Sequence, residues 1–201
     1  MTSSELIAKY PYATERASLD HPAVNVPAHK LLEFLKAMRD EAGFDLLVDV
    51  TAIDWEGRKP RFTVVYHLLA TTSPHYLRVA TDCPDDAAPE VPSVVSLWAG
   101  ANWHERETYD MFGIKFAGHP DLRRILMWDT YPYFPLRKEF PLAGIEVPFP
   151  AADVAERTGE SVKPAPMMGG PFTATHGSNM REKEPCAKDE SWTEKLVKPT
   201  H

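Results

Sequence analysis

The chain has 201 residues, of which 43% are hydrophobic and 25% charged, with a net charge of −7. This is the make-up of an ordinary globular protein of one domain with an extension, or of two small ones. No segment is strongly basic, which argues against wrapping a nucleic-acid backbone, and no apolar run approaches the ~20 residues of a membrane-spanning helix. Two distant cysteines, Cys83 and Cys186, cannot by themselves supply the about four thiolates or ligands of an iron–sulfur cluster or a structural zinc. The N-terminus has no apolar signal core and carries glutamates where an organelle presequence avoids acids, so a bacterial cytoplasm is the expected compartment.

Residues 1–26 show little periodicity; Ile7, Tyr10 and Tyr12 are expected to pack on the body from a helix or a strand. Pro27 opens a helix whose buried stripe is Leu31, Leu35, Met38 and Ala42, widened by Leu32, and Gly43 ends it. Residues 44–53 predict a strand with Leu46, Val48, Val50 and Ala52 on its apolar face. Further strands are predicted over 61–70, with Phe62, Val64, Tyr66 and Leu68 inward, and over 75–81. Residues 82–92 read as a loop and 94–98 as one more short strand. A helix followed by three antiparallel strands predicts an α+β fold over residues 1–99, a two-layer helix-on-sheet domain with mainly antiparallel strands. A charged helix and turn-rich docking segment over 100–147 continues it. Residues 148–201, rich in proline and poor in branched aliphatics, predict an extended or partly disordered C-terminal arm with Trp192, Leu196 and Val197 as a terminal anchor.

The organising stretch is 101–142. Asn102 is expected to cap a helix, with Glu105 bonding back to it, and Gly113 to stop it. Between them His104, Glu105, Arg106, Glu107, Tyr109 and Asp110 are polar on nearly every side, so one apolar face cannot hold this helix. Its charges must meet water or fixed partners. Glu107 is expected as an ion-pair partner, and Arg106 and Asp110 as a pair one turn apart. Downstream, Arg123, Arg124, Arg137 and Lys138 ride among apolar and aromatic residues on backbone pinned by glycine and proline. These cations suit either an anionic headgroup or, more economically, the carboxylates of a neighbouring subunit. Mixed charge with aromatics describes a docking surface better than an active-site pocket. His104-Glu105 opens a zinc-protease pattern, but Thr108 stands where its second histidine belongs. His119, before Pro120, is expected to fix a turn rather than to transfer protons. Nucleophile-elbow and dinucleotide-binding motifs are absent from the sequence.

ANWHERETYDMFGI, then GHPDLRRIL, then PLRKEFPL strongly resembles the 30-kDa peripheral-arm subunit of respiratory complex I, the NADH:quinone oxidoreductase. Glu105, Arg106, Glu107, Asp110, Gly113, Gly118, His119, Pro120, Arg123, Arg124, Pro135, Arg137, Lys138 and Pro141 match the family motif. The chain departs from it at Tyr133-Phe134, at Glu139 and over Met127–Thr130. The resemblance implies a peripheral subunit on the cytoplasmic side of the bacterial inner membrane, bound chiefly to the large hydrogenase-like subunit of the quinone module. FMN, iron–sulfur clusters and quinone would belong to partner subunits, with no self-contained active site here. Two other readings stay open at this point: the equivalent subunit of a related membrane-bound hydrogenase or ferredoxin-fed complex, and a small enzyme using His104, Asp110 or His119 as acid or base.

Overall fold

The structure, a computed structural model, describes residues 3–141 and 145–162. They fall into two compact units, the first of residues 3–129 with 136–138 and the second of residues 130–135 with 139–141 and 145–162. In chain order the first unit holds α1 (Ser3–Lys9), β1 (Thr14–Glu15), β2 (Ala23–Asn25), α2 (Leu31–Asp40), β3 (Leu46–Asp54), β4 (Phe62–Ala70), β5 (His75–Asp82), β6 (Glu90–Pro92), α3 (Ala101–Phe112) and β7 (Lys115–Ala117).

The main sheet has the order β1-β2-β5-β4-β3. β3, β4 and β5 are antiparallel neighbours, as expected, whereas β2 adds parallel to β5. Only three residues long, β2 carries too little alternation to stand out from its surroundings, yet Val24 within it is fully buried. The inward residues of central β4, Phe62, Val64, Tyr66 and Leu68, are all buried. They meet Leu31, Phe34, Leu35 and Met38 of α2 and Met111 and Phe112 of α3 in one core cluster. Each large apolar side chain so buried contributes about 1.5–3 kcal/mol. Helices on a mainly antiparallel sheet make this the two-layer α+β domain.

Three local expectations need correction. Phe34, not Leu32, completes the stripe of α2: Leu32 remains exposed, while Phe34 takes the rings of Tyr10 and Tyr12 edge-on. In β3 a bulge falls between Leu47 and Asp49. The extra residue shifts the alternation by one, so Leu47 is buried and Leu46 and Val48 face out, while Val50 and Ala52 remain inside. Residues 94–98 form a turn rather than a strand, with the amides of Leu97 and Trp98 both reaching the Val94 carbonyl. The strand lies just before, at β6, which pairs parallel with β7; bounded by Pro89 and Pro92, it looks like a loop in sequence.

In the second unit β8 (Val147–Pro148) pairs antiparallel with β9 (Ser161–Val162), and α4 (Ala152–Thr158) lies between them in sequence. Gly159, at φ +67°, closes α4. The expected terminal anchor, Trp192, Leu196 and Val197, lies outside the described residues, as does Cys186.

Candidate functional site

The polar helix α3 starts at Ala101, with Gly100 before it, so Asn102 sits in the first turn instead of capping it. Gly113 ends the helix at φ +73°, its amide returning to the Tyr109 carbonyl at 2.8 Å. Thr108 donates its hydroxyl to the Val50 carbonyl at 3.0 Å, which ties the helix to β3.

Glu105, Arg106 and Asp110 of α3 find fixed partners inside their own chain. Glu105 is fully buried. Its carboxylate accepts the Ser93 hydroxyl and the Val94 amide, both at 2.6 Å. It therefore caps the turn after β6 and not its own helix, correcting the expected capping box. Burial pushes its pKa up to about 7, against the opposing pull of those two hydrogen bonds.

Arg106 and Asp110 do not pair with each other. Both reach the loop 123–127, which offers carbonyls to the one and donors to the other. Arg106 donates to the carbonyls of Arg123 at 3.1 Å and Arg124 at 3.3 Å, with its guanidinium 5.2 Å from the Trp103 ring. Asp110 takes the Arg124 guanidinium at 2.6 Å and the amides of Ile125, Leu126 and Met127 at 3.0, 2.7 and 2.9 Å. Burial opposes ionisation of Asp110. The Met127 amide, the Arg124 guanidinium and the two other amides outweigh it and hold the carboxyl below its usual range.

His119 fixes a turn. Its Nδ1 accepts the Asp121 amide at 3.0 Å, which leaves Nε2 to donate to the Asn102 carbonyl at 3.2 Å. Arg123 is exposed and pairs with Asp121 at 2.8 Å. Arg137 donates Nε to the Phe112 carbonyl at 2.6 Å and lies 5.1 Å from the Phe62 ring. Lys138 leaves its side chain exposed, while its amide reaches the Asp54 carboxylate at 2.9 Å. Glu107 is exposed.

Asp54 and Arg61 escape the sequence reading. Asp54 is buried at the end of β3 and binds Arg61 through two hydrogen bonds, at 2.7 and 2.6 Å, besides the amides of Glu56 and Lys138. An acid closing an apolar strand and an arginine opening the next are the available signal. Among the described residues no group of three or more His, Cys, Asp or Glu is placed to hold a metal ion. Cys83 is buried, and burial pushes its thiol up to about 12. A cleft of about 880 Å³ is lined by residues 15–23 and Arg78 and contains none of His104, Asp110 or His119. Among the described residues no helix is long and apolar enough to cross a membrane.

The stretch just described lies within residues 24–146, which match the family described as the respiratory-chain NADH dehydrogenase, 30 Kd subunit. The chain belongs to this family. Over 121 residues it is 47% identical to the C-type NADH-quinone oxidoreductase subunit, copy 2, of Rhizobium etli, covering 59% of this chain and 64% of that one. Over 134 residues it is 42% identical to the C-type NADH-quinone oxidoreductase subunit of Phenylobacterium zucineum, covering 67% and 63%. The chain thus spans just under two thirds of the length of these two relatives. Among solved structures it is similar to a chain of the membrane-bound sulfane sulfur reductase, an archaeal respiratory membrane complex. That likeness has a TM-score of 0.60 and 26% identity and covers 78% of this chain and 89% of that one. Within this 30-kDa family, the geometry above shows how the motif ERETYD is spent: on Ser93, Val94 and the loop 123–127.

Proposed function

We propose that this chain is the structural 30-kDa subunit of a proton-translocating NADH:quinone oxidoreductase, without a cofactor of its own, docking onto and bracing the quinone-reducing module. Family membership supports the assembly. One observation supports the bracing role: Glu105, Arg106 and Asp110 are consumed by the chain's own backbone, where they stiffen a surface instead of meeting a substrate. Trp103, Leu126 and Leu136 stand exposed on that stiffened framework, and exposed aromatic and aliphatic groups beside arginine are the usual material of an interface. FMN, the iron–sulfur clusters and the quinone belong to partner subunits, chief among them the hydrogenase-like large subunit. The complex holds this chain at the cytoplasmic face of the inner membrane.

The test is purification of the tagged chain from its own cells in mild detergent, with the recovered partners identified by mass spectrometry. Arg137→Ala and Asp110→Ala are expected to lower the amount of assembled complex more than NADH:quinone turnover per assembled complex. Equal assembly with turnover abolished overturns the reading. The likeness to a sulfane sulfur reductase chain favours a second reading, the equivalent subunit of a related membrane-bound complex with another donor. Oxidation of reduced ferredoxin rather than NADH by the purified complex would decide for it.

A further inference from the structure

The fold spends the charges of α3 unevenly. His104 Nδ1 stands 3.2 Å from the Asp49 carboxylate, Glu105 serves the turn at 93–94, and Arg106 and Asp110 serve the loop 123–127. Glu107 has no such role: among the described residues no hydrogen bond or ion pair engages its carboxylate, and it is exposed. It lines a cleft of about 90 Å³ between β3 and α3, as does Asp49. Thr51 and Thr108 share its lining with the apolar side chains of Met111, Phe112 and Leu136, the last 53% exposed.

The walls are already fixed. Thr108 bonds the helix to Val50, and the Leu136 amide reaches the Met111 carbonyl at 3.1 Å. A cleft held open in this way asks little ordering of whatever fills it. Its volume suits one side chain. Two carboxylates in the lining, one of them facing a histidine, call for a cation, and the apolar side chains beside them suit a long aliphatic stem. Arginine joins the two, because its guanidinium is weakly hydrated and bonds carboxylates in a plane.

We propose that the β3–α3 cleft receives an arginine side chain of a partner subunit, its guanidinium at Glu107 and Asp49 and its stem against Met111, Phe112 and Leu136. The inference rests on the reading of this chain as a subunit of a larger complex and names the chemistry of one contact in it. The bulge in β3 is the local device, since it sets the register of Asp49 independently of the apolar face. A net charge of −7 on this chain adds long-range attraction for a basic partner face.

The experiment compares tagged wild type, Glu107→Gln and Glu107→Lys in whole cells, together with a photo-crosslinking residue at Leu136. Glu107 has no structural partner to lose, so both variants are expected to keep the wild-type melting temperature within a degree or two. Association with the recovered complex is expected to weaken about tenfold for Glu107→Gln and more for Glu107→Lys. The crosslinked peptide is expected to contain an arginine. If wild type recovers partners and both variants recover them equally, or if the crosslinked segment of the partner has no arginine within a few residues of the crosslink, the arginine contact is wrong while the subunit reading stands. If wild type recovers no partner subunits, both fall together.

Discussion

The Asp110 carboxylate and the Arg124 guanidinium meet at 2.6 Å, the carboxylate fully buried and the guanidinium side chain 8% exposed. Three consecutive amides close on the same carboxylate. An ion pair taken out of water contributes little by itself, because desolvation cancels much of the attraction, but removing one partner is costly. The pair is therefore better seen as a device that dictates where the backbone of 123–127 must run.

Asp110→Asn keeps the shape, removes the charge that faces Arg124 and presents an NH2 group toward amide donors. The expected loss is about 2–4 kcal/mol, read from the denaturant midpoint of the isolated chain. Hydrogen exchange gives the local signature: the amides of Ile125, Leu126 and Met127 are expected to lose protection before the strands of the main sheet do. Uniform loss of protection across the protein would mean that Asp110 acts on global stability and not on the loop.

Glu105 makes the stability of the fold depend on pH. Its folded pKa, about 7, lies above the ordinary 4.5, so the folded protein holds a proton that the unfolded chain releases. The contribution is fully present below about 4.5 and is lost as pH rises through about 7. At about 1.4 kcal/mol per unit the whole effect is on the order of 3 kcal/mol. Glu105→Gln mimics the protonated form, with its NH2 facing Ser93 and its oxygen accepting from Val94. Denaturation midpoints between pH 5 and 8 are expected to fall with pH in wild type and to flatten in the variant. Parallel slopes in the two proteins would remove Glu105 as the source.

Much of this is legible in the sequence. Helix α2 and strands β3 to β5 announce themselves because apolar residues recur at the period of the element. The all-round polarity of α3 signals that its charges must meet water or fixed partners, and Glu107 takes the first course while Glu105, Arg106 and Asp110 take the second. What sequence cannot supply is the identity of those partners. Ser93 and Val94 are presented to Glu105 by β6, a strand that two prolines disguise, and amides 125–127 are donors whatever their side chains. The β3 bulge is invisible for a related reason: Leu46, Leu47 and Val48 are all apolar, so either phase of alternation reads well.

Asp54 holds the segment 136–138 to the end of β3. Its carboxylate binds Arg61 and accepts the Lys138 amide, while the neighbouring Leu136 amide reaches the Met111 carbonyl and the Arg137 side chain the Phe112 carbonyl. Burial works against its ionisation, but Arg61 first, then the amides of Lys138 and Glu56, keep its carboxyl well below the usual range. Such an acid stabilises at neutral pH and loses that contribution as pH falls below about 4. Asp54→Asn is expected to cost about 2–4 kcal/mol at pH 7 and progressively less as pH falls from about 4 toward 2. A penalty unchanged at low pH would point to packing instead of charge.

Leu126 separates docking from folding. Its amide is fixed by Asp110 at 2.7 Å, while its residue is 57% exposed. A side chain pointing to water from a rigid backbone contributes little to the chain alone, so Leu126→Asp is expected to shift stability by no more than about 0.5 kcal/mol. An apolar anchor at an interface is another matter, where loss of burial and a desolvated new charge combine to weaken association by on the order of 2 kcal/mol or more. Sedimentation of membranes solubilised in mild detergent is expected to move the variant chain from the large complex to the free fraction, with its melting temperature unchanged. Asp110→Asn should do both, releasing the chain and lowering its melting point, since it undoes the backbone that presents Leu126. If Leu126→Asp co-sediments with the complex as well as wild type does, this face is turned to solvent in the assembly and docking must be sought elsewhere on the chain.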